Sequence, residues 1–209
     1  MWLSPCRRIA VALLALIAAR SSAGTLRGVV SLPKSERAQD TVVWLEQIPD
    51  RAEQQLVRPP RHWPFQHPPT PPLPVIVEAG RRYQPHILAI AAGSHVVLKN
   101  KDDVWHGTFS VSPALTFDLG KRPPGHEDTL GFPLPGLVAL RCDIHPAMSA
   151  FVMVAPNHAF TRAEADGSWQ LPKLPAGHYV VHAWHPEKPE LRREVDVPER
   201  GEASLTLHW

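Results

Sequence analysis

Apolar residues in this chain come in short runs of four to seven positions, most alternating with polar ones, and Gly, Pro or Asp closes almost every run. The runs are Leu26 to Leu32, Thr41 to Gln47, Val75 to Glu78, Ile87 to Ile90, His95 to Asn100, Gly136 to Arg141, Phe151 to Val154, Tyr179 to Trp184 and Ala203 to Leu207. Alternation with period two turns one face of each run toward a core, and no long stretch shows the 3.6-residue period of a helix. The pattern predicts an all-β protein, a sandwich or barrel. Asp166-Gly167 and Pro175-Ala176-Gly177 are turn signals on either side of the later strands.

Two stretches break the pattern. Ile9 to Ala19 is apolar throughout, follows Arg7 and Arg8, and leads into Ser21-Ser22-Ala23, the layout of a secretory leader cleaved after Ala23. The run is too short to span a bilayer, so an exported protein with no membrane anchor is expected, periplasmic in a Gram-negative source. Residues 58 to 74, R-P-P-R-H-W-P-F-Q-H-P-P-T-P-P-L-P, cannot form a central strand and read as a stiff extended linker. These breaks divide the chain into a leader (1–23), N-terminal strands (24–57), a linker (58–74), a compact β domain (75–155) and a C-terminal β segment (156–209).

Removing the leader changes the chemistry. It takes away Arg7, Arg8 and Arg20 and no acid, which brings the 22 basic and 20 acidic residues of the whole chain close to balance and leaves a nucleic-acid partner no electrostatic footprint. It also takes away Cys6, one of two cysteines, so Cys142 is the single thiol of the mature chain and no internal disulfide can form. An unpaired thiol in an oxidising compartment is a liability unless something occupies it, and a metal can.

Cys142 stands in G-L-V-A-L-R-C-D-I-H-P-A-M, where thiol, imidazole and thioether are spaced C-x-x-H-x-x-M. Soft sulfurs suit Cu(I) and nitrogen donors suit Cu(II); two His, one Cys and a weak axial Met form the trigonal set of electron-transfer copper sites. Zinc gains little from a thioether and commonly has a second Cys or a third His. A nucleophilic role for Cys142 with His145 lacks a third, orienting residue. The chain contains no phosphate loop, no G-x-S-x-G elbow and no H-E-x-x-H, so no enzymatic reading is supported.

The stretch Y-Q-P-H-I-L-A-I-A-A-G-S-H-V-V-L-K-N-K-D, followed by His106 with Phe109-Ser110, F-D-L-G at Phe117 to Gly120, Phe132 with Pro135-Gly136, and the Cys142 motif, resembles the cupredoxin family. The short loop is most similar to amicyanin and to the plastocyanin-like proteins of methylamine utilisation. The resemblance covers roughly Val75 to Val154. It implies a Greek-key β-sandwich holding one type 1 copper through His106, Cys142, His145 and Met148, with outer-sphere transfer of single electrons to a redox protein partner through the exposed His145. Family members usually carry Asn directly after the first ligand His; here that residue is Gly107. The alternative function is copper storage or delivery, or an adhesion module. Residues 160–209, with D-G-S-W-Q-L-P-K-L-P-A-G-H-Y-V-V-H-A-W-H, resemble the later strands of transthyretin-like, carboxypeptidase-regulatory-type sandwiches. The missing opening strands correspond to G-T-L-R-G-V-V-S-L and T-V-V-W-L-E, so the copper domain is expected to be inserted in a second, discontinuous sandwich; the alternative is that these strands extend the cupredoxin sheet and the second sandwich is simply fused to it.

Overall fold

The structure is a computed structural model, which describes residues 23–33, 36–56 and 72–209. Residues 1–22, on which the expected leader falls, and most of the proline-rich segment expected as a linker lie outside the described residues. The chain is nearly all β. The alternation did not reveal α1 (Asp50–Leu56), a short helix with Asp50 and Glu53 in its first turn, where acids complement the helix dipole.

One sandwich is built from consecutive strands. Its first sheet runs β5 (Ile87–Ala91), β11 (Ser149–Ala155), β10 (Gly136–Cys142), β7 (His106–Ser112) and β8 (Leu115–Arg122). Its second sheet runs β4 (Tyr83–Gln84), β3 (Val75–Glu78), β6 (Ser94–Asn100) and β9 (Glu127–Phe132). Strands β5 and β11 are parallel, as are β3 and β6, and β7 to β8, β10 to β11 and β6 to β9 pair antiparallel. Alternation delivers Val138 and Leu140 from β10, Ala150, Val152 and Val154 from β11, and Val96 and Leu98 from β6 to a common core with Ile76 and Phe132.

A second sandwich draws on both ends of the described chain. Strand β1 (Ala23–Ser31) lies between β13 (Ser168–Gln170) and β17 (Glu202–His208), and pairs parallel with β17 over seven positions, Val30 opposite Leu207. The start of β1 also pairs with β14 (Leu174–Pro175). The facing sheet runs β12 (Phe160–Arg162), β2 (Val42–Leu45), β15 (Gly177–Trp184) and β16 (Leu191–Val197), with Val43 opposite Ala183. Leu26, Val43, Leu45, Trp169, Leu174, Val181 and Leu207 fill the space between. Strands β3 to β11 thus fall, in chain order, between β2 and β12. The alternation also passed over β16: L-R-R-E-V-D-V lies at a sheet edge and only Val197 is buried, so there is little hydrophobic signal to read.

The sandwiches stack sheet against sheet. Every residue of β2 is buried because the strand has two dry faces: Val43 and Leu45 enter the second core, while Val42 and Trp44 meet Ile87, Met153 and Ala155 of the first sandwich, together with Trp184. Strand β11 is its counterpart, with Phe151 and Met153 turned outward and Phe151 edge-on to Trp184 at 5.3 Å. A strand buried on both faces reads as a continuous apolar run, as V-V-W-L and F-V-M-V do.

Candidate metal centre

The candidate ligand residues collect at the end of the first sandwich where β6 hands over to β7 and β10 to β11. His106 is the first residue of β7 and fully buried; Cys142 is the last of β10 and nearly so; His145 lies half-buried in the turn between β10 and β11. The Met148 N–H donates to the His145 carbonyl at 2.9 Å and closes that turn. The Cys142 sulfur stands 3.8 Å from Nδ1 of His106 and 3.8 Å from Nδ1 of His145, and the two Nδ1 atoms are 3.1 Å apart. Among the described residues this is the one cluster of three or more His, Cys, Asp or Glu donors, all within 4.8 Å of one another. Met148 is buried in the same core as Cys142. None of His86, His95, His126, His158, His178, His182, His185 or His208 joins the cluster.

These distances test the donor set for a metal. A triangle with sides 3.1, 3.8 and 3.8 Å has a central point about 2.1 Å from each corner, close to the ~2.0–2.1 Å bond between a metal and imidazole nitrogen. The outer nitrogen of His106, Nε2, is 2.8 Å from Asp102 Oδ2. A proton held there leaves Nδ1 with a bare lone pair aimed at the centre. For His145, burial first of all holds the imidazole below its usual pKa, which favours the neutral ring with one free lone pair. Two imidazole nitrogens and one sulfur converging on one point are a donor set that fits a metal.

Asp102 and its neighbours hold the cluster from outside. The Asp102 carboxylate also accepts from the Gly80 and Arg81 amides, at 2.5 and 2.9 Å, in a turn where both residues have positive φ. Burial pushes this carboxyl up, but the bonds from Arg81, His106 and Gly80 outweigh it and keep its pKa below the usual value. Asn100, buried at the end of β6, accepts from the Asp102 amide and donates to the Val104 and Pro123 carbonyls, which fixes the loop leading to His106. Asp102→Ala should weaken metal binding by roughly 10- to 100-fold, the usual loss when the partner of a ligand imidazole is removed. Competition against a chelator measures it, and an unchanged affinity would show that Asp102 does not orient His106.

A second buried network lies one strand away. Thr108, opposite Cys142 in the ladder, donates to Glu78 Oε1 at 2.6 Å and accepts from the Tyr83 hydroxyl at 2.8 Å, with the Arg141 carbonyl also 3.1 Å from that hydroxyl. Burial raises the pKa of Glu78 despite the Thr108 bond, and burial likewise raises that of Tyr83. A carboxyl raised on folding contributes stability that is complete below its unfolded value and is lost as pH rises through the folded one. In the metal-free protein, Glu78→Gln should therefore gain stability on the wild type between pH ~4 and ~7.5. Urea melts at the two pH values read the difference; a gap that stays constant or shrinks rules the effect out.

The sequence reading passed over Asp102, Asn100, Glu78 and Thr108, although alternation carried a signal for three of them. Asn100 shares its face with Val96 and Leu98, Glu78 with Ile76, and Thr108 with His106. Each is a polar residue at an inward position, where burial demands a partner.

No protein-family model and no curated protein matches the sequence. Among solved structures, the Cu(I) form of an amicyanin mutant with alanine in place of a methionine is similar at 21% identity and a TM-score of 0.38, over 39% of this chain and 81% of that one. A reduced amicyanin mutant with tyrosine in place of a tryptophan gives 22% identity and a TM-score of 0.38 over the same shares. A copper-containing nitrite reductase from Thermus scotoductus SA-01 gives 25% identity and a TM-score of 0.38, over 41% of this chain and 23% of that one. The likeness in each case spans less than half of this chain.

Proposed function

We propose that this protein is an exported, non-enzymatic carrier of single electrons with one type 1 copper, held by His106, Cys142, His145 and the axial thioether of Met148. The observation that carries the reading is the Nδ1, Nδ1, Sγ triangle with sides of 3.1, 3.8 and 3.8 Å. It offers one thiolate and two imidazoles at metal-bond range, with no carboxylate among the inner donors. Copper in such a set cycles between Cu(I) and Cu(II) with little change of geometry.

The chain's own residues supply the rest. His106 is pinned from outside by Asp102 and cannot swing; Cys142 is fixed at the end of a central strand and receives the Gly107 N–H at 3.5 Å. His145 is the ligand that reaches the surface. Ile144, Pro146 and Ala147 are exposed in its own turn, and Trp105, beside His106 in sequence, is more than half exposed. Small apolar surfaces of this kind suit brief contacts with a redox protein partner. Among the described residues no helix is long and apolar enough to cross a membrane.

Titration of the metal-free protein with Cu(II) tests the proposal. One equivalent should produce a blue colour that ascorbate bleaches and air or ferricyanide restores. Tight uptake of Cu(I) with no colour in the oxidised state would replace the carrier with a storage or delivery protein.

A further inference from the structure

Gly107 directly follows the ligand His106, and its φ lies outside the left-handed region, so backbone conformation alone admits any residue there. Space does not. A Cβ at this position would stand 1.9 Å from Asp143 Oδ1 and 2.7 Å from Asp143 Cγ. The main chain of Gly107 is engaged on both sides: its N–H donates to the Cys142 sulfur at 3.5 Å, and its carbonyl accepts from the Asp143 N–H at 3.0 Å. The Asp143 carboxylate therefore lies against the peptide unit that joins one imidazole ligand to the hydrogen-bond donor of the thiol ligand. Asp143 also follows Cys142 directly, so the two residues next to ligands interlock across the strand pair β7 and β10.

We propose that Gly107 and Asp143 form one functional pair in which the absent side chain at 107 makes room for the carboxylate, and the carboxylate is a positioning residue that sets a negative charge beside the Cys142 thiolate. The inference rests on the copper reading above. A fixed anion near the sulfur favours the doubly charged ion over the singly charged one, because Coulomb energy scales with the ion's charge. Asp143 is itself exposed, so water and salt screen its effect.

The test uses the full chain and four variants, D143N, D143G, G107A and G107A/D143G. D143N keeps the shape and removes the charge. It should stay blue and shift the Cu(II)/Cu(I) ratio at a fixed potential about tenfold toward Cu(I), a rise of ~59 mV for one electron. G107A should lower Cu(II) affinity about tenfold or more while Asp143 is present, but by less than about threefold in the D143G background, the signature of two coupled sites. A D143N potential equal to that of the wild type, or an equal loss from G107A in both backgrounds, overturns the pair. Should the wild-type protein take no copper, the copper reading fails on its own, and melting of the metal-free variants decides the pair. G107A must then lower Tm only where Asp143 remains, and an equal lowering in both backgrounds overturns it.

Discussion

Cys142→Ser is expected to fold and to show no blue colour with Cu(II), while Met148→Leu is expected to stay coloured at a raised potential. The two outcomes differ because the two sulfurs differ as donors. In the proposed site the thiolate would supply the covalent bond whose charge transfer gives the colour, and a serine hydroxyl neither ionises at neutral pH nor replaces it. Cys142 sits at the end of β10, nearly fully buried with Gly107 N–H on its sulfur, so the slightly smaller hydroxyl leaves the ladder to Thr108 in place. A thioether is a weak, long axial ligand, and Leu matches Met closely in volume, so the core around residue 148 should lose less than about 1.5 kcal/mol. The visible spectrum and cyclic voltammetry of both variants provide the check. A blue Cys142→Ser protein would remove Cys142 from the ligand set, and an unchanged potential in Met148→Leu would remove Met148.

Leu26→Asp should unfold the second sandwich and spare the proposed copper centre. Leu26 is fully buried at the middle of β1, the strand that ties β13 to β17. An unpaired carboxylate there has no cation in the core around it, and losses above about 4 kcal/mol follow from burying such a charge. The tryptophans report on the two parts separately. Trp44, Trp169 and Trp184 are buried in the second sandwich or at the junction, whereas Trp105 is exposed in the first. Trp fluorescence of the variant should therefore shift to the unfolded value at much lower urea than the blue absorbance needs to disappear. Phe151, Met153 and Ile87, which lose Val42, Trp44 and Trp184 as cover, should bind a hydrophobic dye. Simultaneous loss of fluorescence and colour would mean that the junction welds both sandwiches into one cooperative unit.

Much of the architecture is local information, and for that reason it is legible in the chain. Period-two alternation marks β6 and β15 because one side of each strand must face a core, continuous apolar runs mark β5, β10 and β11, and Gly or Pro marks their ends. Cys142, His145 and Met148 share one turn, so their chemistry is visible as a spacing. The all-apolar V-V-W-L of β2 announces burial on both faces, although not against what.

What lay beyond the sequence is non-local. The parallel pairing of β1 with β17 joins residues some 180 positions apart, and nothing in either strand names the other, since backbone hydrogen bonds are the same for every partner. The approach of His106 Nδ1 to the Cys142 sulfur depends on the ladder between β7 and β10, and the clamp of Asp102 on the Gly80 and Arg81 amides depends on where β3 and β4 turn. Gly107 is the sharpest case. Read along the chain it is a departure from the resembled pattern, with a side chain missing beside a ligand. Only the tertiary structure shows that Asp143, brought across from the next strand, fills the space, because a glycine records that room is required and not what occupies it.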